Sequence, residues 1–179
     1  MARIIMYTGG ARSGKSRLAQ DRLKNLARVV YIATAQAFDN EMTERIAKHK
    51  DSRPAEWITV EEPLDLAAAV ARALASHPQA ILIDCLTLWL SNRMLNEWQE
   101  GWNTAREDHT LRVLDEALQQ LGTADGDVVL VTNEVGSSVV PESEMGRAFR
   151  DLAGRANQLA ASKATEVHLV VAGLALQLK

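Results

Sequence analysis

The sequence predicts an α/β fold, a mainly parallel central sheet with helices on both faces. Three observations predict it. Short apolar runs of strand length recur at 3–8, 29–33, 57–60, 80–84, 127–132 and 166–172. Between them, segments at about 15–27, 39–50, 64–76, 86–96, 106–121 and 144–163 carry helical apolar spacing. The runs AILI and VVLVT are continuously apolar rather than alternating, as strands covered on both faces read. Regular alternation of strand and helix is the pattern of a parallel sheet built from crossover units. In such sheets a ligand site lies at the carboxyl ends of the strands.

The first strand, RIIMYT, runs into GGARSGKS, and Gly9 to Ser16 reads G-x-x-x-x-G-K-S, the phosphate-binding loop pattern. Gly9, Gly10 and Gly14 let the backbone take positive φ and approach a ligand closely. Ala11, Arg12 and Ser13 complete the span, whose inward N–H groups would cradle anionic oxygens. The helix that starts near Lys15 adds its positive end. Lys15 is placed to reach the β- and γ-phosphates, and Ser16 to offer a hydroxyl to Mg²⁺. The competing reading is a chance turn, and the order strand, loop, helix argues against it.

The second strand leaves through Thr34, Ala35 and Gln36, which are candidates for a nucleotide base or sugar. In the helix that follows, NEMTERIAKHK, Met42, Arg45, Ile46 and His49 share one stripe. Charge on an inward stripe is costly unless paired. Two readings stand: an amphipathic helix with a hydrogen-bonded histidine, or a histidine and arginine turned towards an anionic ligand. Asp84 follows four apolar residues, where a carboxylate either holds Mg²⁺ in a phosphate-loop enzyme or caps the next helix. Thr132, Asn133 and Glu134 leave the fifth strand and are expected to face the same cleft. Trp89, Trp98 and Trp102 serve either core packing, the more frequent use, or an interface.

With 179 residues, 47% of them hydrophobic and 24% charged, one globular soluble domain spanning 1–179 is expected. No apolar run approaches the roughly 20 residues that span a bilayer, and no leader is expected in the short apolar run after Arg3. The single cysteine, Cys85, excludes an internal disulfide and a cysteine-rich zinc site, and the whole suits the cytoplasm. A net charge of −3 without a basic run argues against nucleic acid as partner. Loose segments are expected near 51–57, 96–108 and 122–127.

Taken in order, TGGARSGKSR, YIATAQ, DNEMTERIAKHKDSRP, WITVE, LIDCLTLWLSN, VLVTNEVG, VVPE and GRAFRDLAGRANQ cover essentially the whole chain. In these segments it resembles the bifunctional adenosylcobinamide kinase / adenosylcobinamide-phosphate guanylyltransferase family of cobalamin biosynthesis. The resemblance implies a P-loop NTPase-like fold, a RecA-like three-layer sandwich, and a two-step reaction. Adenosylcobinamide is phosphorylated from ATP or GTP. GTP then donates GMP to a histidine, and the substrate phosphate takes it to give adenosylcobinamide-GDP. The matching histidine is His49. The resemblance also implies nucleotide contacts from Gly9 to Ser16, from Thr34 to Gln36, and at Lys50, Asp51, Ser52, Arg53 and Pro54. It adds Glu61 or Glu62, which VEEP leaves open, and Asp84, with Ser16 and Asp84 towards Mg²⁺. It further implies a homo-oligomer, a trimer.

The chain departs from the family pattern at Ala35, where Ser is frequent, and at Lys48, where a second histidine can precede His49. Ser138 and Ser143 stand where Gly and Asn are expected. Competing functions are a small-molecule kinase in which His49 is only structural, a recombinase-like ATPase module, and a non-catalytic nucleotide switch.

Overall fold

The computed structural model describes residues 2–51 and 53–179, with Arg45 described by its backbone alone. The elements follow as β1 (Ile4–Thr8), α1 (Lys15–Leu23), β2 (Val29–Ala33), α2 (Asn40–Asp51), β3 (Ile58–Glu61), α3 (Leu66–Ala75) and β4 (Ala80–Asp84). Then come α4 (Leu86–Trp98), α5 (Thr104–Leu121), β5 (Asp127–Val131), α6 (Glu144–Lys163), β6 (Glu166–Val171) and β7 (Leu174–Gln177). The strands form one seven-stranded sheet in the order β3-β2-β4-β5-β1-β6-β7. Every neighbouring pair is parallel except β6 and β7.

Alternation along each strand sends side chains into two cores. Ile81 and Ile83 of β4 join a core with Leu66, Val70, Leu86, Trp89, Leu114, Leu118, Leu152 and Ala156, so α3 to α6 cover one face. Ala80 and Leu82 join Tyr31, Val129 and the α1 residues Ala19 and Leu23 on the other. Burial on both faces explains the continuous apolar runs of β4 and β5. Helices α3, α5 and α6 start where short polar side chains satisfy free N–H groups. Asp65 accepts from Ala68 N, Asn103 from Arg106 N, and Ser143 from Gly146 N. Ser143 therefore does the capping work an asparagine would do.

Two expectations need correction. The run at 166–172 is followed by a seventh strand. Ala172 (φ 52) and Gly173 (φ 82) turn the chain back in the left-handed region, and β7 returns antiparallel to β6. Gly173 is the turn's mark in the sequence, and with no Asn, Asp or Pro beside it the hairpin is easily passed over. The segment 96–108 is a loop only over 99–103: α4 continues to Trp98 and α5 begins at Thr104, capped by Asn103. Trp89 is fully buried with Nε1 donating to the Leu64 carbonyl at 2.9 Å, and Trp98 and Trp102 pack against the same core.

Register sets out the carboxyl edge. Glu61 pairs with Ala33, Ala33 with Asp84, Asp84 with Val131, and Val131 with Tyr7. The phosphate loop leaves this edge one residue later, after Thr8.

Candidate active site at the carboxyl edge

The loop from Gly9 to Ser16 is pinned from behind by backbone. Glu134 N donates to Gly9 O at 3.0 Å, and Gly173 N, in the β6–β7 turn, donates to Ser13 O at 2.8 Å. Gly9 (φ 149) and Gly14 (φ 101) occupy conformations that side chains disfavour. A Cβ on Gly9 would also run into the Val170 carbonyl. Lys15 is buried, and its Nζ donates to Gly10 O at 2.6 Å and Ser13 Oγ at 3.4 Å. An ammonium folded into its own loop holds neutral acceptors at the place where phosphate oxygens would be stronger partners. Gly10, Ala11 and Arg12 form the exposed crown, and Ser13, Gly14 and Ser16 are half-buried.

Asp84 ends β4 and is not a helix cap: the cap position of α4 is Cys85, which makes no side-chain capping bond. The Asp84 carboxylate instead accepts at Oδ2 from the Tyr31 hydroxyl, 2.7 Å away. Burial, then the neighbouring Asp84 charge, raises the Tyr31 pKa far above its ordinary value, so the hydroxyl stays protonated as the donor. Burial and Asp84 likewise push the Cys85 thiol up to about 12, while Lys15 acts in the opposite sense. The loop ammonium and the Asp84 carboxylate thus both act on Cys85. Among the described residues no three carboxylate, histidine or cysteine groups gather as a metal cage. The Ser16 hydroxyl and Asp84 carboxylate are hard oxygen donors, and a cation shared with nucleotide and water is what Mg²⁺ prefers. The donor set fits that ion.

Helix α2 carries His49 as expected, on a shallow stripe. Met42, Ile46 and His49 are half-buried, while the remaining described side chains of the helix are exposed. Lys50 Nζ meets Glu61 Oε1 at 3.1 Å, which ties the end of α2 to the end of β3. Just beyond the helix, the Arg53 guanidinium lies 3.7 Å from the centre of the Tyr31 ring and donates to Thr59 Oγ1 at 3.2 Å. Asp51 is exposed and Pro54 half-buried. Ser52 and the Arg45 side chain lie outside what is described.

The two glutamates left open by VEEP differ. Glu62 receives the Leu64 and Asp65 N–H groups and Arg72. Burial alone would raise its pKa, but these partners outweigh that and hold it below the ordinary carboxylate value. Glu62 fastens the turn into α3, whereas Glu61 is exposed beside α2. Thr34 is fully buried, and its hydroxyl donates to Cys85 O and accepts from Cys85 N. Its side chain is committed to the β4–α4 junction, while Ala35 and Gln36 remain half-buried at the strand exit. Thr132 does not face the cleft with its side chain: its hydroxyl is buried and donates to Asn157 Oδ1. Asn157 Nδ2 in turn donates to Asn133 O, and Thr87 Oγ1 accepts from Asn133 N.

Reasoning from sequence missed these supports, namely Tyr31, Thr87, Asn92 and Asn157. Asn92 Nδ2 donates to the Thr34 carbonyl at 2.7 Å. A polar residue on an apolar helix face was the available signal for Thr87 and Asn92. Tyr31 gave none, since tyrosine is ordinary in strands.

The family model for cobinamide kinase / cobinamide phosphate guanyltransferase matches residues 5–178. The chain belongs to that family. It is 43% identical over 184 residues to a Salmonella typhimurium protein named "bifunctional adenosylcobalamin biosynthesis protein CobU", covering 98% of this chain and 99% of that one. It is 45% identical over 175 residues to the Pseudomonas aeruginosa "bifunctional adenosylcobalamin biosynthesis protein CobP", covering 97% and 96%. Among solved structures, a prototypical ATPase from a type III secretion system superposes with a TM-score of 0.63 at 10% identity. That match covers 98% of this chain and 56% of the other, and it shows the fold alone: an α/β sheet of the P-loop ATPase kind. Among the described residues no helix is long and apolar enough to cross a membrane.

Proposed function

We propose that this chain, as one domain, catalyses both steps named by its family: phosphorylation of adenosylcobinamide, then transfer of GMP to the product. The observation that carries the reading is one edge of the sheet. There stand a pinned phosphate loop with a buried lysine after β1 and, on the far side of β5 and β4, the segment of His49, whose neighbours Lys50 and Arg53 are fastened to Glu61 and to the ring of Tyr31, the donor to Asp84.

In the kinase step the substrate hydroxyl oxygen attacks the γ-phosphorus of ATP or GTP, the bond from that phosphorus to the β–γ bridging oxygen breaks, the nucleoside diphosphate leaves, and the hydroxyl proton passes to solvent. Lys15 and the inward loop amides stabilise charge on the phosphates, and positioning supplies most of the rate. In the second step a neutral imidazole nitrogen of His49 attacks the α-phosphorus of GTP. The bond to the bridging oxygen breaks and pyrophosphate leaves. A phosphate oxygen of adenosylcobinamide phosphate then attacks the same phosphorus, the P–N bond breaks, and the imidazole is released with GMP on the product. Ser16 and Asp84 would hold Mg²⁺, which when bound draws charge off the phosphates. Gln36, Lys50, Asp51, Ser52, Arg53 and Glu61 are the proposed contacts to the remainder of the nucleotide, Glu61 being preferred because Glu62 is occupied. We place the reaction in the cytoplasm and the working form as a homo-oligomer, a trimer.

The test is incubation with GTP labelled at the α or the γ position, with Mg²⁺ and no corrinoid. Label enters the protein from the α position only, is stable to alkali and labile to acid, and disappears in His49→Asn. Absence of any adduct on the wild type at saturating GTP reduces the protein to a kinase without a covalent step.

A further inference from the structure

We infer that Tyr31 is a positioning residue of the nucleotide site, holding the Asp84 carboxylate in place through its hydroxyl. The inference rests on the reading of Asp84 as the metal-side carboxylate, and it goes beyond that reading by assigning the residue that orients it.

Three observations carry it. Tyr31 is 1% exposed, in the middle of β2, and its ring belongs to the core beneath α1. From there the hydroxyl reaches one carboxylate oxygen of Asp84 at 2.7 Å, across the β2–β4 pairing. A hydrogen bond to a charged acceptor is about twice as strong as a neutral one, and it fixes the rotamer of the acceptor. The outer face of the same ring carries the Arg53 guanidinium at 3.7 Å, and Arg53 Nε finds no hydrogen-bond partner among the described residues. The segment after the His49 helix and the Asp84 end of β4 therefore both contact this one buried side chain.

Plain packing makes a different demand. A phenylalanine fills the same space against Val29, Leu82 and Val129, the aliphatic neighbours of that core. The hydroxyl adds the bond to Asp84 and a polar contact with the Arg53 guanidinium, which keeps the ring face under it in Tyr31→Phe. Asp84 is itself half-buried, so water can replace the lost donor and the fold has little need of it. What water does not replace is a single fixed orientation. Loss of an outer-shell partner of a metal ligand typically lowers metal affinity or activity 10- to 100-fold.

The experiment measures GTP binding to the full chain by calorimetry, with and without Mg²⁺, alongside thermal unfolding. In Tyr31→Phe the tightening of GTP by Mg²⁺ shrinks about tenfold. Metal-free GTP affinity stays within about twofold and the unfolding midpoint stays near wild type. Asp84→Asn shows the same loss, and adding Tyr31→Phe to it changes nothing further, because the hydroxyl acts through the carboxylate. If Asp84→Asn loses the Mg²⁺ effect and Tyr31→Phe keeps it, Asp84 stands as the metal-side group and the role of Tyr31 is overturned. If neither variant alters the Mg²⁺ effect, the reading of Asp84 fails first and the proposal with it. A Tyr31→Phe defect confined to metal-free affinity or to the unfolding midpoint assigns Tyr31 to packing and also overturns the proposal.

Discussion

The phosphate loop and helix α2 stand at the same edge of the sheet and are held in opposite ways. The loop grows out of β1, a strand buried along its whole length, and is tied to neighbouring backbone at Gly9 and Ser13. Its lysine is inside the protein. Helix α2 has no fully buried side chain among those described. An ion pair whose partners are 61% and 64% exposed fastens one end, and such pairs contribute about 0–1 kcal/mol. The Arg53 contact with Tyr31 adds a cation over a ring, of order 1–2 kcal/mol. The difference teaches a division of labour. Charge stabilisation works best from groups that need no rearrangement, so the loop is fixed. In the proposed two-step reaction, a nucleophilic His49 that must meet two successive partners gains from a shallow seat.

The contrast breaks most sharply at the two central residues. His49→Asn abolishes the GMP adduct and GMP transfer while leaving phosphorylation of adenosylcobinamide within a few-fold of wild type, as phosphate-release and product assays will show. Lys15→Ala lowers both steps by about 10²–10³, since removing one preorganised donor costs about 2.7–4 kcal/mol. Retention of GMP transfer in Lys15→Ala would mean that the two steps use separate nucleotide sites, and the comparison would collapse.

Amide hydrogen exchange sharpens it without mutation. Amides of α1 and β1 exchange near the global unfolding rate, and those of α2 faster by at least about tenfold, because few buried contacts oppose local opening. Equal protection in the two helices contradicts the shallow seat.

The smallest effects separate the adjacent glutamates. Glu62→Gln costs about 1–2 kcal/mol of stability, since two backbone N–H groups and Arg72 lose a charged acceptor. The pKa of Glu62 is depressed in the folded state. Its contribution is therefore present above the ordinary carboxylate value of 4.5 and lost as pH falls through the lower folded value. Denaturant titrations of Glu62→Gln between neutral and acid pH show a shallower acid loss than wild type. Glu61→Gln leaves stability within about 0.5 kcal/mol and acts on GTP affinity instead. A stability loss at Glu61 as large as at Glu62 would reverse their assignment.

Sequence alone determined the alternation of six strands with six helices, the loop from Gly9 to Ser16, and the stripe of α2 that His49 shares with Met42 and Ile46. Each rests on local physics: a repeat of 2 or 3.6 residues, or glycines at a spacing that phosphate requires. The hairpin at Ala172–Gly173 was easily passed over, because its mark is Gly173 with no Asn, Asp or Pro beside it. That Asp84 is not a helix cap, and that Glu62 rather than Glu61 fastens the turn into α3, needed the tertiary structure. Each depends on a partner far along the chain or around a turn, Tyr31 for Asp84, Lys50 for Glu61, and Arg72 with the Asp65 N–H for Glu62. The parallel sheet brings β2 beside β4 and β3 beside β2, and that pairing sets Asp84 against Tyr31 and holds the end of β3, with Glu61, at the edge where Lys50 meets it.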